Sequence, residues 1–257
     1  MWLIRRWRPR AGIGRSARSV VAILLAVAGS LTSSMRLTGL LVSIATLLAP
    51  GVAVAQDAAG ARSGFTLGPT ISTLGAGADA GFRAGPYLGV RLDASFLSFD
   101  YNRSIDSIPY KFGVNLRSGG PVLDLYPFAG SFHLTAGARI NGNGADVSAT
   151  PGSNVTINGD TFTPAQVGTL TGSLKYNRVA PYLGIGYSGR PTRWLELGLD
   201  LGVLYQGKPS VNLAASGQFA NNPSLAADIA QEETNVENRL GFTTWYPVVT
   251  FAALFHF

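Results

Sequence analysis

Apolar and polar residues alternate along most of the chain after its first quarter. In residues 195–206, Leu195, Leu197, Leu199, Leu201, Val203 and Tyr205 share one side, and Glu196, Gly198, Asp200, Gly202 and Gln206 share the other. A helix would scatter those charges around its circumference; a strand separates them, because successive side chains point to opposite faces. Residues 132–141 and 179–188 repeat the pattern. The alternation predicts strands at 64–73, 75–84, 87–101, 110–126, 131–142, 175–188, 193–206 and 244–257. The apolar phase flips near Leu74-Gly75. A tight turn there gives eight strands; a bulge in one long strand gives seven. An even count lets an antiparallel barrel close, so the turn is preferred. A second phase change is expected near Gly119-Gly120, and it leaves open which way Leu123 and Asp124 face.

Short links at 84–86, 127–130 and 189–192 alternate with long polar links at 102–107, 142–172 and 207–243. Short turns on one side and long loops on the other are the wiring of a transmembrane β-barrel. The expected fold is therefore all-β: an antiparallel up-and-down barrel of eight strands with both termini on the periplasmic side. Composition agrees. Only 13% of residues are charged and Gly numbers 32, whereas a soluble domain carries about 25% charged residues. No stretch beyond the N-terminus reaches the roughly 18 apolar residues of a membrane helix.

The formal charge of +6 is misleading. Seven of the 20 Lys and Arg residues fall in residues 1–55, which hold no Asp or Glu, and the remainder has 13 basic and 14 acidic residues. A nucleic-acid partner is not expected. Residues 35–55, "MRLTGLLVSIATLLAPGVAVA", carry a basic start, an apolar run and a small-x-small close, the pattern of a secretory signal. Residues 1–55 are thus expected to be a targeting segment, with Met35 as the preferred start of translation, and residues 56–257 the barrel. The absence of Cys suits an exported chain.

The chain closes on "VVTFAALFHF", with Val249, Phe251, Ala253, Phe255 and Phe257 on one face. This resembles the C-terminal assembly signal of Gram-negative outer-membrane proteins, which implies outer-membrane lipid as the surroundings and the barrel-assembly machinery as a partner during biogenesis. With "LDLYPF" (123–128), "VAPYLGIGY" (179–187) and "LDLGVLYQG" (199–207), the mature chain is similar in layout to the OmpW family and to the transmembrane half of OmpA-like proteins. That resemblance is one of architecture and brings no catalytic motif.

Aromatic rings fall near the strand ends: Tyr87, Tyr126, Phe128, Trp194, Phe255 and Phe257 at one, and Tyr101, Tyr110, Phe112, Tyr176, Tyr205 and Trp245 at the other. Two such rings suit the interfaces of a bilayer. Asp79, Arg83, Arg91, Asp93, Lys111, Arg117, Arg139, Arg178, Glu196 and Asp200 occupy positions expected to face the lumen. An eight-stranded barrel is just wide enough inside for side chains to fill it, so these charges are expected either to pair into a plug or to line a narrow pore. Asn222-Pro223 opens an amphipathic helix of about 16 residues, marked by Leu225, Ile229, Val236 and Leu240 and stopped at Gly241. Asp228, Glu232, Glu233 and Glu237 are expected on its wetter side, which suggests a lid or a docking surface. Loops 142–172 and 207–243 are the expected places for a surface ligand, and residues 155–163 read as a small hairpin around Asn158-Gly159. Ser131, His133 and Glu196 are the best hydrolase candidates, but His133 is expected inward near the periplasmic end, so an enzyme is not expected. With no Cys and only His133 and His256, neither is a metal or other cofactor.

Overall fold

The computed structural model describes residues 63–105 and 108–257; the expected targeting segment, 1–55, lies outside them. Eight strands hydrogen-bond into a closed antiparallel ring: β1 (Gly64–Ser72), β2 (Gly75–Arg83), β3 (Leu88–Ile105), β4 (Ile108–Leu125), β5 (Phe132–Asn141), β10 (Val179–Gly189), β11 (Leu195–Tyr205) and β13 (Trp245–His256). Closure comes from β13 against β1, with Leu67 opposite Phe255 and Ile71 opposite Phe251. The chain does turn there, at Thr73 and Leu74, and Gly75 opens β2 at a φ of 114°, a region that an L side chain enters only under strain.

The long links hold more structure than the alternation implied. Residues 102–105 are not a loop: β3 runs on through them and pairs with β4, two strands of 18 residues each, twice the 9 residues of β1. At about 3.3 Å per residue, β3 extends ~30 Å further than β1. On this overhang the sheet continues sideways through β6 (Gly144–Ala149), β9 (Leu170–Lys175) and β12 (Ser210–Ala215), in the order β4, β6, β9, β12. A small hairpin, β7 (Val155–Ile157) and β8 (Asp160–Phe162), turns through Asn158 and Gly159, both at positive φ, as the Asn-Gly pair requires. A one-turn helix α1 (Pro164–Val167) and the 17-residue helix α2 (Pro223–Arg239) complete this annex. Asn222 caps α2 by accepting from the Ser224 amide.

Strand β4 alternates without interruption from Ile108 to Leu125. The expected phase change at Gly119-Gly120 does not occur in the backbone; what changes is the chemistry of the two faces. In the lower half, Leu123 and Leu125 point outward and are exposed, while Asp124 is fully buried inside. In the upper half the outward positions are Lys111, Asn115 and Arg117, and the inward ones are Tyr110, Phe112, Val114 and Leu116, all buried. β3 inverts at the same level. Its outward row runs Val90, Leu92, Phe96 and then Ser98, Asp100, Asn102, with Phe96 paired to Arg117 and Leu97 to Leu116 at the crossover. Lys111 and Arg117 are therefore on the exposed face, not in the lumen, because a reversal of polarity imitates a reversal of facing.

The buried upper face of the sheet packs Tyr110, Phe112, Val114, Leu116, Val147, Leu174 and Val211 against Val236 of α2 and Leu240 at its C-cap. Tyr110 and Phe112 are thus core residues and no part of an outer aromatic ring, and Tyr176 is only half exposed against the same cluster. Tyr126 is also buried, under the guanidinium of Arg83, 3.6 Å from its ring centre. The other aromatic residues expected at the strand ends, Tyr87, Phe128, Trp194, Phe255 and Phe257 below and Tyr101, Tyr205 and Trp245 above, are exposed.

Candidate functional site

The interior of the ring carries the densest chemistry among the described residues. At its centre is Arg91, which projects inward from β3. Its Nε and Nη2 donate to the two oxygens of Asp124 on β4 at 2.5 and 3.0 Å. Nη2 also donates to Asp200 Oδ1 on β11 at 3.0 Å, and Nη1 reaches Asp79 Oδ2 on β2 at 3.3 Å. Thr135 on β5 donates to Asp124 Oδ1 at 2.7 Å. One planar guanidinium thus bridges three carboxylates from three strands, which the fixed fork of five N–H donors makes possible and a lysine ammonium would not. His133 Nε2 lies 2.8 Å from Asp200 Oδ1. A second pair sits one step higher on β3 and β5, where Arg139 meets Asp93 and donates from Nε to Ser118 Oγ at 2.9 Å.

Glycines opposite these groups make room for them. A Cβ on Gly186 would collide with both His133 Nε2 and Asp200 Oδ1, and one on Gly202 would collide with the Tyr182 ring. The alternating glycines of β10 and β11 are therefore the empty halves of a packed interior, as expected where a strand must leave space for neighbouring bulky groups.

Above the charges lies an apolar layer. Leu74, Val122, Ala180, Tyr182, Leu204, Tyr246 and Val248 are all buried and packed together. Leu74, from the β1–β2 turn, folds inward and has no exposed surface. Tyr246 donates its hydroxyl to the Thr73 carbonyl at 2.8 Å, which secures that turn. An amide layer follows: Asn143 Nδ2 donates to Gln206 Oε1 at 3.1 Å, and Gln206 Nε2 donates to the Thr243 carbonyl at 2.9 Å. Outside the ring, burial raises the Tyr176 phenol above its usual range, and its hydroxyl donates to Thr243 Oγ1 at 2.8 Å.

Below the charges is a cavity of about 30 Å³, reached by Arg91, Asp124, His133 and Asp200 from above and by Glu196 and His256 from below. That volume suits one or two waters. His256 Nε2 is 2.7 Å from Glu196 Oε2, and Arg190 Nε donates to the same oxygen at 3.2 Å.

Of the ten charges expected in the lumen, Asp79, Arg91, Asp93, Arg139 and Asp200 meet in the two clusters. Arg83 and Glu196 lie at the lower end. Lys111 and Arg117 face outward, and Arg178 is exposed just before β10. Asp124, the strongest partner of Arg91, escaped the sequence reading because the polarity inversion obscured its facing. Glu196 does not orient His133 as a hydrolase would need: His133 pairs with Asp200 and contacts the Ser131 carbonyl, not its hydroxyl. Among the described residues, no group of three or more acidic or His side chains is placed to hold a metal ion.

No family model matches the chain, and no curated protein is similar to it in sequence. Solved structures match it in fold. CarO2 of Acinetobacter baumannii superposes with a TM-score of 0.52 at 22% identity, over 77% of this chain and 100% of that one. CarO of the same organism superposes with a TM-score of 0.51 at 21% identity, over 76% and 98%. At that identity the likeness is one of fold: this chain shares the β-barrel architecture of the CarO structures.

Proposed function

We propose that this chain is an integral outer-membrane barrel of a Gram-negative bacterium, with a closed interior, serving as a structural or surface-displayed element and not as an enzyme. Its neighbours in fold, the CarO proteins, belong to such a membrane. The outward faces of the lower strands also support it. Phe65, Ile71, Leu92, Ile140 and Leu183 are each at least 59% exposed on the outside of a ring whose inside is charged, the reverse of a water-soluble barrel and the arrangement lipid requires. The polarity inversion at Phe96 and Arg117 then marks where the wall leaves lipid for water. Phe257 and the alternating residues before it fit the signal read by the assembly machinery, and β13, which carries them, is the strand that closes the ring. An affinity with the OmpW and OmpA-like barrels remains part of this reading at the level of architecture.

The observation that carries the closed interior is the Arg91 cluster beneath the apolar layer of Leu74, Tyr182, Leu204 and Tyr246. A solute would have to break a charge network and then cross an apolar layer packed by seven side chains. Planar-bilayer conductance of refolded residues 56–257 tests this. A silent bilayer is expected from a protein whose unboiled band migrates differently from its boiled one; stable discrete openings would overturn it in favour of a narrow pore. In that case neutral replacement of Arg91 or Arg139 should alter ion selectivity.

A further inference from the structure

Every sheet that does not close has two edges, and the sheet of the annex ends at β12. A free edge exposes backbone N–H and C=O groups to any strand that can pair with them. β12 uses alternate residues for its ladder to β9, which leaves the amides of Val211 and Leu213 on the outer side. Both are occupied by side chains of α2: Leu213 N donates to Glu233 Oε1 at 2.6 Å and Val211 N to Glu237 Oε1 at 2.9 Å. The match is metrical. Four residues of helix advance about 6 Å and two residues of strand about 6.8 Å, so carboxylates at i and i+4 fall on amides at j and j−2. Val236 on the same helix and Leu240 at its C-cap seat it on the sheet. The acidic residues of α2 are therefore not its wet side, as the sequence suggested. Glu232 is buried, and Glu233 and Glu237 are half buried against the edge.

We propose that α2 is an edge guard: Glu233 and Glu237 take the place of a missing strand and keep β12 from pairing with β12 of a second copy. The second copy is the fitting occupant because the freed edge is self-complementary. A two-fold axis at Leu213 sets Val211 opposite Ala215 of the other chain, so that all three residues present their outward N–H and C=O groups to one another in an antiparallel register. This rests on the geometry of the annex and not on whether the barrel conducts.

Two measurements test it. In the refolded wild-type protein, hydrogen exchange at the amides of Val211 and Leu213 should be slowed at least tenfold relative to unstructured peptide; free exchange at both would overturn the guard. In Glu233→Ala/Glu237→Ala, checked for heat-modifiable migration as a sign of an intact barrel, light scattering should read twice the protein mass of the wild type. Glu233→Gln/Glu237→Gln, whose amide oxygens still accept, should stay monomeric. A folded Ala variant that remains monomeric, or one that forms a ladder of higher multiples, would overturn the two-fold pairing.

Discussion

The lower and upper halves of the β3–β4 hairpin share one backbone, one register and one pair of faces, yet they are built in opposite senses. Below the level of Phe96 and Arg117, the side chains toward the barrel axis are polar apart from Val122, and the large ones away from it are Leu, Val and Pro. Above that level the inward row is Tyr110, Phe112, Val114 and Leu116, and the outward row is Lys111, Asn115, Ser98 and Asn102. The lower half has an apolar exterior and must satisfy its buried polar groups inside, which Arg91 does by joining three aspartates. In the upper half β4 behaves like a strand of a soluble sheet and buries its apolar row under a helix, while Leu97, Phe99 and Tyr101 beside it on β3 stay exposed. A strand is thus a carrier of alternation only; the medium on each side decides which row is greasy.

The sharpest way to break the comparison is to attack the polar interior. Arg91→Met leaves Asp79, Asp124 and Asp200 buried without their cation. Breaking a buried ion pair from one side costs about 3–5 kcal/mol, and the urea midpoint of the protein refolded in phospholipid vesicles should fall accordingly. An unchanged midpoint would mean that the cluster holds nothing together.

The two halves can next be set against each other with one substitution. Leu123→Lys and Asn115→Lys are on the same strand and the same outward face. The first places an ammonium against the proposed lipid wall and should cost about 2–4 kcal/mol; the second lies above the inversion and should stay within roughly 0.5 kcal/mol. Equal costs in the same vesicle assay would remove the membrane boundary from where the inversion puts it.

Smaller effects grade the interior itself. Glu196→Gln weakens the bonds to His256 and Arg190 at the open lower end, where water can take over. A loss of about 1 kcal/mol is expected, well short of that for Arg91, and an equal loss would show that the lower end is as dry as the centre. Lys111→Ser, on the outward polar face, should not move the midpoint by more than roughly 0.5 kcal/mol; a larger change would return Lys111 to a buried role.

Much of the architecture was legible because it repeats. The ring strands announce themselves by period-two alternation over nine or more residues, and the turn at Leu74 by the loss of that phase. Asn222-Pro223 and the spacing from Leu225 to Leu240 marked α2, and Asn158-Gly159 marked the small hairpin. β6, β9 and β12 were not visible. They are six residues each, too short and too mixed for a sustained alternation, and become strands only because β4 overhangs the ring and offers them an edge.

The amino-acid order by itself favoured eight ring strands and placed charge inside them, since these follow from local alternation; the facing of Leu123 and Asp124 was decided only by the unbroken run of β4. Tertiary structure alone decided which carboxylates Arg91 would join, that Glu196 would serve His256 and not His133, and that the glutamates of α2 would face a strand edge instead of water. Those pairings depend on the register between strands far apart in the chain. A one-residue slip would reverse every one of them while leaving the alternation intact.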